Sequence, residues 1–173
     1  NSPAEYLFAR IKLNEGEVAT FRFIPPTAPK SVSEYATADV RYWSICLGSA
    51  ETYSYASIYD KEMPKVDKEG FVTFIIAEAN DGTYILTWNR KEQGDGILAL
   101  YRNMVINENY PHSMRKLMES VPLAAAGGDM SGFNPMKMIA MLAMGNWGPQ
   151  GYKFSEDDFL SDSFNYANIR RMK

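Results

Sequence analysis

From Glu17 to Ile24 the chain alternates: Val18, Thr20 and Arg22 fall on one side, Ala19, Phe21 and Phe23 on the other. A period of two sends successive side chains to opposite faces of a strand, so this segment predicts a half-buried β-strand, stopped at Pro25 and Pro26. Val40 to Leu47 and Glu51 to Asp60 predict two more strands. Phe71 to Ala77 is a nearly continuous β-branched and aromatic run, the pattern of a central buried strand. Asn80, Asp81 and Gly82 form a hairpin signal leading into Tyr84 to Trp88, and Gly94 to Gly96 precedes a last strand from Ile97 to Tyr101. Short strands divided by Gly, Asn and Asp turns, with no helical pattern between them, predict a mainly β fold, an antiparallel β-sandwich or a jelly-roll-like one.

The pattern changes in the C-terminal third. Between Tyr110 and Val121, the apolar residues Met114, Leu117, Met118 and Val121 recur at helical spacing. Leu123 to Gly132 is small and flexible in composition and predicts a loop. Asn134 followed by Pro135 suits a helix start, and Gly145 suits its end. Ser155 with Asp158 three residues on is a capping box that opens a short helix to about Leu160. The expected organisation is a sandwich core over 1–109 and a helical and loop extension over 110–173, packed together as one domain. The length of 173 residues suits that count, since a chain near this size buries roughly 70% of its unfolded surface without disulfides or metal.

Charge narrows the partners. Eighteen Lys and Arg stand against 21 Asp and Glu, a net −3, and no run of like charge exceeds three residues. Nucleic acid is excluded as the main partner, because phosphate binding needs a dense basic face. One cysteine, Cys46, and one histidine, His112, exclude an internal disulfide framework, a multi-cysteine metal centre and a histidine-rich one, so no cofactor is expected. No apolar run approaches the roughly 20 residues of a transmembrane helix. The longest, Met136 to Met144, has nine and includes Lys137. The chain opens on Asn1 without an initiator methionine, so the expectation is a trimmed terminus or a removed signal or anchor segment.

Three features carry candidate chemistry. Asp39, Arg41 and Trp43 share one face of a strand, where an arginine beside an indole can stack on it and anchor an anionic ligand, or form a structural ion pair at the sandwich edge. Tyr53, Tyr55 and Tyr59 form a stripe suited to stacking on sugars or to a partner patch, or else the half-buried face of an amphipathic strand. Eight of the ten methionines lie between Met104 and Met144. Met136, Met138, Ile139, Met141, Leu142 and Met144 make a segment apolar on nearly all sides, either a buried helix or an adaptable partner-binding surface. Copper is disfavoured there, since thioether sites recruit His or Cys and His112 is more than twenty residues away from that cluster. Enzyme signatures are poor: no nucleophile elbow, phosphate loop or dinucleotide fingerprint occurs. His112, next to Pro111, fits a capping or exposed position, and Glu156, Asp157, Asp158 and Asp162 fit an acidic helix start better than a calcium loop.

The stretch from Asp39 to Cys46, with its Arg41-Tyr42-Trp43-Ser44 core, resembles a family of uncharacterised, mostly secreted bacterial proteins related to the domain of unknown function numbered twelve-fourteen. Val66 to Ile76, Leu86 to Trp88 and Gly96 to Met104 carry the same similarity, and Met144 to Tyr152 is a weaker match to the family's closing pattern. The resemblance covers roughly Tyr6 to Phe159. It implies a jelly-roll-like sandwich in an extracytoplasmic protein, periplasmic or secreted, and it implies no activity. Relatives often carry further cysteines after this motif; here Cys46 is alone, which fits a small buried hydrophobe.

The function expected is a non-catalytic extracytoplasmic accessory or interaction domain, a soluble subunit docked through Met136 to Met144 on a membrane-associated complex. The alternative is a small-ligand or carbohydrate-binding sandwich, or a cryptic hydrolase, using Arg41, Trp43, Tyr53, Tyr55 and Tyr59.

Overall fold

A computed structural model describes residues 2–49, 54–78, 86–89, 94, 96–120 and 144–161. Its strands are β1 (Ser2–Lys12), β2 (Glu17–Phe23), β3 (Tyr42–Ser49), β4 (Ser54–Tyr59), β5 (Val72–Glu78), β6 (Leu86–Trp88), β7 (Gly96–Ile106) and β8 (Gln150–Ser155). Two short helices, α1 (Met114–Ser120) and α2 (Glu156–Leu160), accompany them. The first sheet runs in the order β1-β7-β3-β4 and is antiparallel throughout; the second runs β6-β5-β2-β8. The mainly β expectation is met by a two-layer sandwich.

The core lies between the sheets. Phe23 of β2 and Phe74 of β5 stack with ring centroids 6.0 Å apart, and Trp43 of β3 and Tyr101 of β7 meet Phe23 edge-on at 5.6 and 5.1 Å. These four rings come from both layers and are all buried. Edge-to-face contact aligns the positive ring edge with the negative face, adding to the burial of large apolar area. Ala19, Phe21 and Phe23 of β2 point to this core as their alternation predicts, but the strand is not half-buried: Val18 and Thr20 on its other face are buried too.

Strand β1 falls outside the strands read from the sequence. It pairs with β7 from Ser2 opposite Ile106 to Lys12 opposite Gly96. Its alternation is blurred because the inward set includes Glu5 and the outward set includes Tyr6 and Phe8. The hairpin expected around Asn80 to Gly82 also differs: β5 and β6 pair in parallel, Ile76 opposite Leu86 and Glu78 opposite Trp88. That pairing lays Leu86 and Trp88 beside Ile76 in the core.

After residue 109 the chain supplies a strand as well as helices. β8 lies along β2, from Glu17 opposite Ser155 to Arg22 opposite Gln150, and Lys153 pairs with Glu17 at 2.8 Å. Ser155 caps α2 as its sequence predicts, its Oγ accepting the Asp158 N–H at 3.1 Å. Phe159 of α2 then stacks on Phe154 over a small second core of Val18 and Ala77.

Candidate functional site

The loop from Ile24 to Arg41 cannot extend β2, because Pro25, Pro26 and Pro29 remove ladder donors. It is held instead by side chains. Asp39 accepts the Thr27 N–H at 2.8 Å and the Thr27 hydroxyl at 2.7 Å, while its own N–H donates to Thr27 Oγ1 at 3.0 Å. Asn107, just past β7, pins the loop from the other side. Its Nδ2 donates to the carbonyls of Ala36 and Ala38, both at 3.1 Å, and its N–H donates to the Asp39 carbonyl at 2.8 Å.

Between these anchors runs a groove of about 190 Å³ lined by Tyr35, Val40, Arg41, Val105, Asn107 and Glu108, among others. Arg41 sits at the start of β3, its guanidinium 3.7 Å above the exposed Tyr35 ring. Its N–H donates to the Met104 carbonyl at 2.9 Å and toward that of Val105 at 3.3 Å. Among the described residues no carboxylate pairs with the guanidinium. Val105 has φ of 50°, a left-handed backbone that a β-branched residue adopts at a strain of roughly 1–3 kcal/mol. Strain of this kind persists only where the surroundings impose it; here the Arg41 and Asn107 hydrogen bonds bracket the residue.

Behind the groove the inner face of the first sheet turns polar. Glu5, Asn103 and Trp43 lie side by side across β1, β7 and β3. The Glu5 carboxylate receives the N–H groups of Met114 and Arg115 at the start of α1. The Asn103 amide and the Tyr101 and Tyr110 hydroxyls are buried with no hydrogen-bond partner among the described residues. Burial pushes the Tyr101 phenol well above its ordinary pKa; the Tyr110, Glu5 and Asp39 charges add to the rise, and the nearby Asn103 amide opposes it short of hydrogen-bond geometry. Burial, then Asp39 and Glu5, raise Tyr110 as well.

The residues picked from the sequence are not brought together. Arg41 lines the groove, but Trp43 is 1% exposed in the core and presents no face to a ligand, because inward alternation in β3 carries it between the sheets. Tyr59 is exposed on the opposite face of that sheet, across from Ser44 on the β4 edge. Tyr53 lies outside the described residues, as does the side chain of Tyr55. Met136, Met138, Ile139, Met141 and Leu142 also lie outside them. Met144 is described and buried, with 1% exposure, so it is an interior residue rather than an open contact. His112 is neither a cap nor simply exposed: its ring lies flat on Trp147 at 3.6 Å and meets Tyr110 edge-on at 5.9 Å. Tyr35, Val105 and Asn107 escaped the sequence reading; the Asn-Glu-Asn composition of 107–109 is the one local signal of a turn there.

Among the described residues no group of three or more His, Cys, Asp or Glu is placed to hold a metal ion, and no helix is long and apolar enough to cross a membrane. No family model and no curated protein matches the chain. Among solved structures, the chain is similar to an uncharacterised protein from Burkholderia cenocepacia, at 16% identity and a TM-score of 0.43 over 60% of this chain and 26% of that one. It is similar to a protein from Vibrio parahaemolyticus at 16% identity and a TM-score of 0.42, over 61% and 27% of the two chains. The chain thus matches about a quarter of the length of each.

Proposed function

We propose that this chain is a non-catalytic accessory domain of a larger extracytoplasmic assembly, and that its Arg41 groove receives an acidic side chain of a partner polypeptide. The observation that carries this is Arg41 itself: a guanidinium stacked on Tyr35 and facing a groove, with no acid against it among the described residues. Stacking leaves the planar N–H fork free for a carboxylate, which it binds in two-point geometry.

Size and charge favour a protein partner over a small molecule. The groove is well below the roughly 300–1,000 Å³ of enclosed ligand sites, so it suits one side chain of a wider contact. Glu108 on the rim repels polyanions, which disfavours phosphate-rich ligands and agrees with the net charge of −3.

Amide resonances titrated with a capped glutamate peptide, and with its glutamine counterpart, test the proposal. Saturable shifts at Arg41, Val105 and Asn107 with the glutamate peptide alone, lost in Arg41→Ala, are expected. Equal responses to the two peptides, or shifts that survive Arg41→Ala, would sink it.

A further inference from the structure

We infer that two copies of this chain associate through the edge of β1 that faces away from β7, antiparallel and related by a two-fold axis, joining their first sheets into one eight-stranded sheet. The inference is independent of the Arg41 groove, since β7 separates β1 from β3.

β1 spends one edge on β7 along its 11 residues. On the other edge no described residue hydrogen-bonds to its main chain. An open strand edge is a template for another strand, and folded proteins usually blunt it by shortening or bulging. Among the described residues the other edge strands are shorter: β6 has three residues, β4 has six with a register shift in its ladder between Leu47 and Gly48, and β8 has six. β1 is longer than any of these, and its register with β7 is continuous.

Apolar side chains also lie exposed along that edge. Phe8 is 66% exposed and Tyr6 43%, and their rings stack at 6.4 Å on the outer face. Two aromatic rings left in water beside an open edge are the composition of an interface core.

The occupant follows from complementarity. A two-fold axis at Phe8 sets Phe8 against its own copy, Tyr6 against Arg10 and Ala4 against Lys12 on the outer face. On the inner face, Glu5 meets Ile11 and Leu7 meets Ala9. Every cation then faces an aromatic or small residue, and no like charges meet across the strands. Parallel, in-register pairing would instead set Glu5 on Glu5, Arg10 on Arg10 and Lys12 on Lys12. The segment is thus self-complementary in the antiparallel sense alone, which is what a two-fold dimer requires.

Sedimentation equilibrium of the full chain, with two kinds of variant, tests this. Wild type is expected to form a dimer, and Phe8→Lys, which sets like charges on the axis, to raise the dissociation constant at least about tenfold. The near-ultraviolet dichroism of Phe8→Lys reports whether the fold is retained. In a Cys46→Ser background, Phe8→Cys is expected to give a disulfide-linked dimer with oxidised glutathione, whereas Arg10→Cys, facing Tyr6, is not. A monomer at all concentrations, a dimer indifferent to Phe8→Lys, or equal cross-linking at the two positions overturns the inference. A chain that is monomeric alone and pairs with a foreign strand overturns it too.

Discussion

The Glu5 carboxylate accepts the backbone N–H of Met114 at 2.9 Å, joining β1 to the first residue of α1 across 109 positions of sequence. Its other oxygen takes the Arg115 N–H at 3.0 Å. A helix start carries N–H groups without intrahelical acceptors, and a carboxylate there gains both hydrogen bonds and the favourable end of the helix dipole. The arrangement accounts for a buried acid on the inner face of a sheet. Glu5→Ala removes both acceptors and is expected to lower unfolding free energy by about 1–2 kcal/mol, with Glu5→Gln falling between it and wild type. Urea denaturation checks this; wild-type stability in both variants would show that the cap contributes nothing.

A second long-range clamp lies outside the second sheet. Arg22 of β2 bonds Asp67 at 2.6 Å and Glu69 at 3.0 Å and covers the Phe71 ring at 4.1 Å. Its guanidinium holds the Asp67 carboxyl below the usual carboxylate range, and the N–H groups of Phe71 and Glu69 add to the effect. The native state therefore binds that proton less readily than the unfolded chain. The stabilisation is present above a pH of about 3.9 and is lost as the pH falls through the lower native value. Asp67 is more than a third exposed, so solvent screening limits the pair to about 0.2–1 kcal/mol. Asp67→Asn should remove that amount at neutral pH and flatten the acid limb of the stability profile, as measured by denaturation at a series of pH values.

The strands were legible where the chain alternates or runs continuously apolar. β2 alternates and β5 is continuously apolar, and both emerge as strands of the second sheet. β1 was hidden because Tyr6 and Phe8 put apolar area on its solvent face while Glu5 puts a charge inside. The partner of each strand was less legible than its existence: a turn signal such as Asn80 to Gly82 says that the chain bends, not which edge it returns to. The site was least legible. Arg41 was visible as a chemical type, but its placement depends on Asn107 reaching the carbonyls of Ala36 and Ala38, some 70 positions earlier. No local pattern encodes that contact.

Val105 tests whether the groove stores strain. With φ of 50° and 39% exposure, its side chain contributes little packing and its backbone carries a penalty. Gly adopts this conformation freely, whereas Ala does not. Val105→Gly is therefore expected to be more stable than Val105→Ala by about 1 kcal/mol, the reverse of the order at an ordinary strand position. Chemical denaturation of the two variants decides it, and Ala equal to or above Gly would remove strain from the account.

Tyr101 and Tyr110 predict an alkaline limit to stability. Both phenols have native pKa values raised chiefly by burial. A raised value means that the native state keeps its proton when the unfolded chain has lost it. The contribution is full below a pH of about 10 and falls as the pH climbs toward the native value. Tyrosinate absorbance for these two residues should thus appear together with unfolding rather than before it. Tyr101→Phe also removes a buried hydroxyl that has no partner among the described residues, so its stability at neutral pH should match wild type or exceed it by about 1 kcal/mol. Loss of stability in Tyr101→Phe would reveal a hydrogen bond of consequence at that oxygen.

Met144 decides between a core and a surface role for the one methionine of its segment that is described. It is 1% exposed, and its carbonyl accepts the Trp147 N–H at 2.9 Å, closing a turn whose Asn146 carbonyl takes the Ile24 N–H at 2.6 Å. His112 stacks on the Trp147 of this same turn. A Cβ at Gly148 would stand 2.8 Å from the Met144 Cβ, closer than side chains pack, and Gly148 has φ of −98°, which any residue adopts. Space rather than backbone freedom therefore requires glycine there. Gly148→Ala is expected to cost about 1–3 kcal/mol by overpacking, and Met144→Ala about 2–5 kcal/mol by leaving a cavity. Thermal unfolding of both variants is the measurement. If Met144→Ala unfolds with wild type while Gly148→Ala does not, the turn is held by its hydrogen bonds rather than by packing of the methionine side chain.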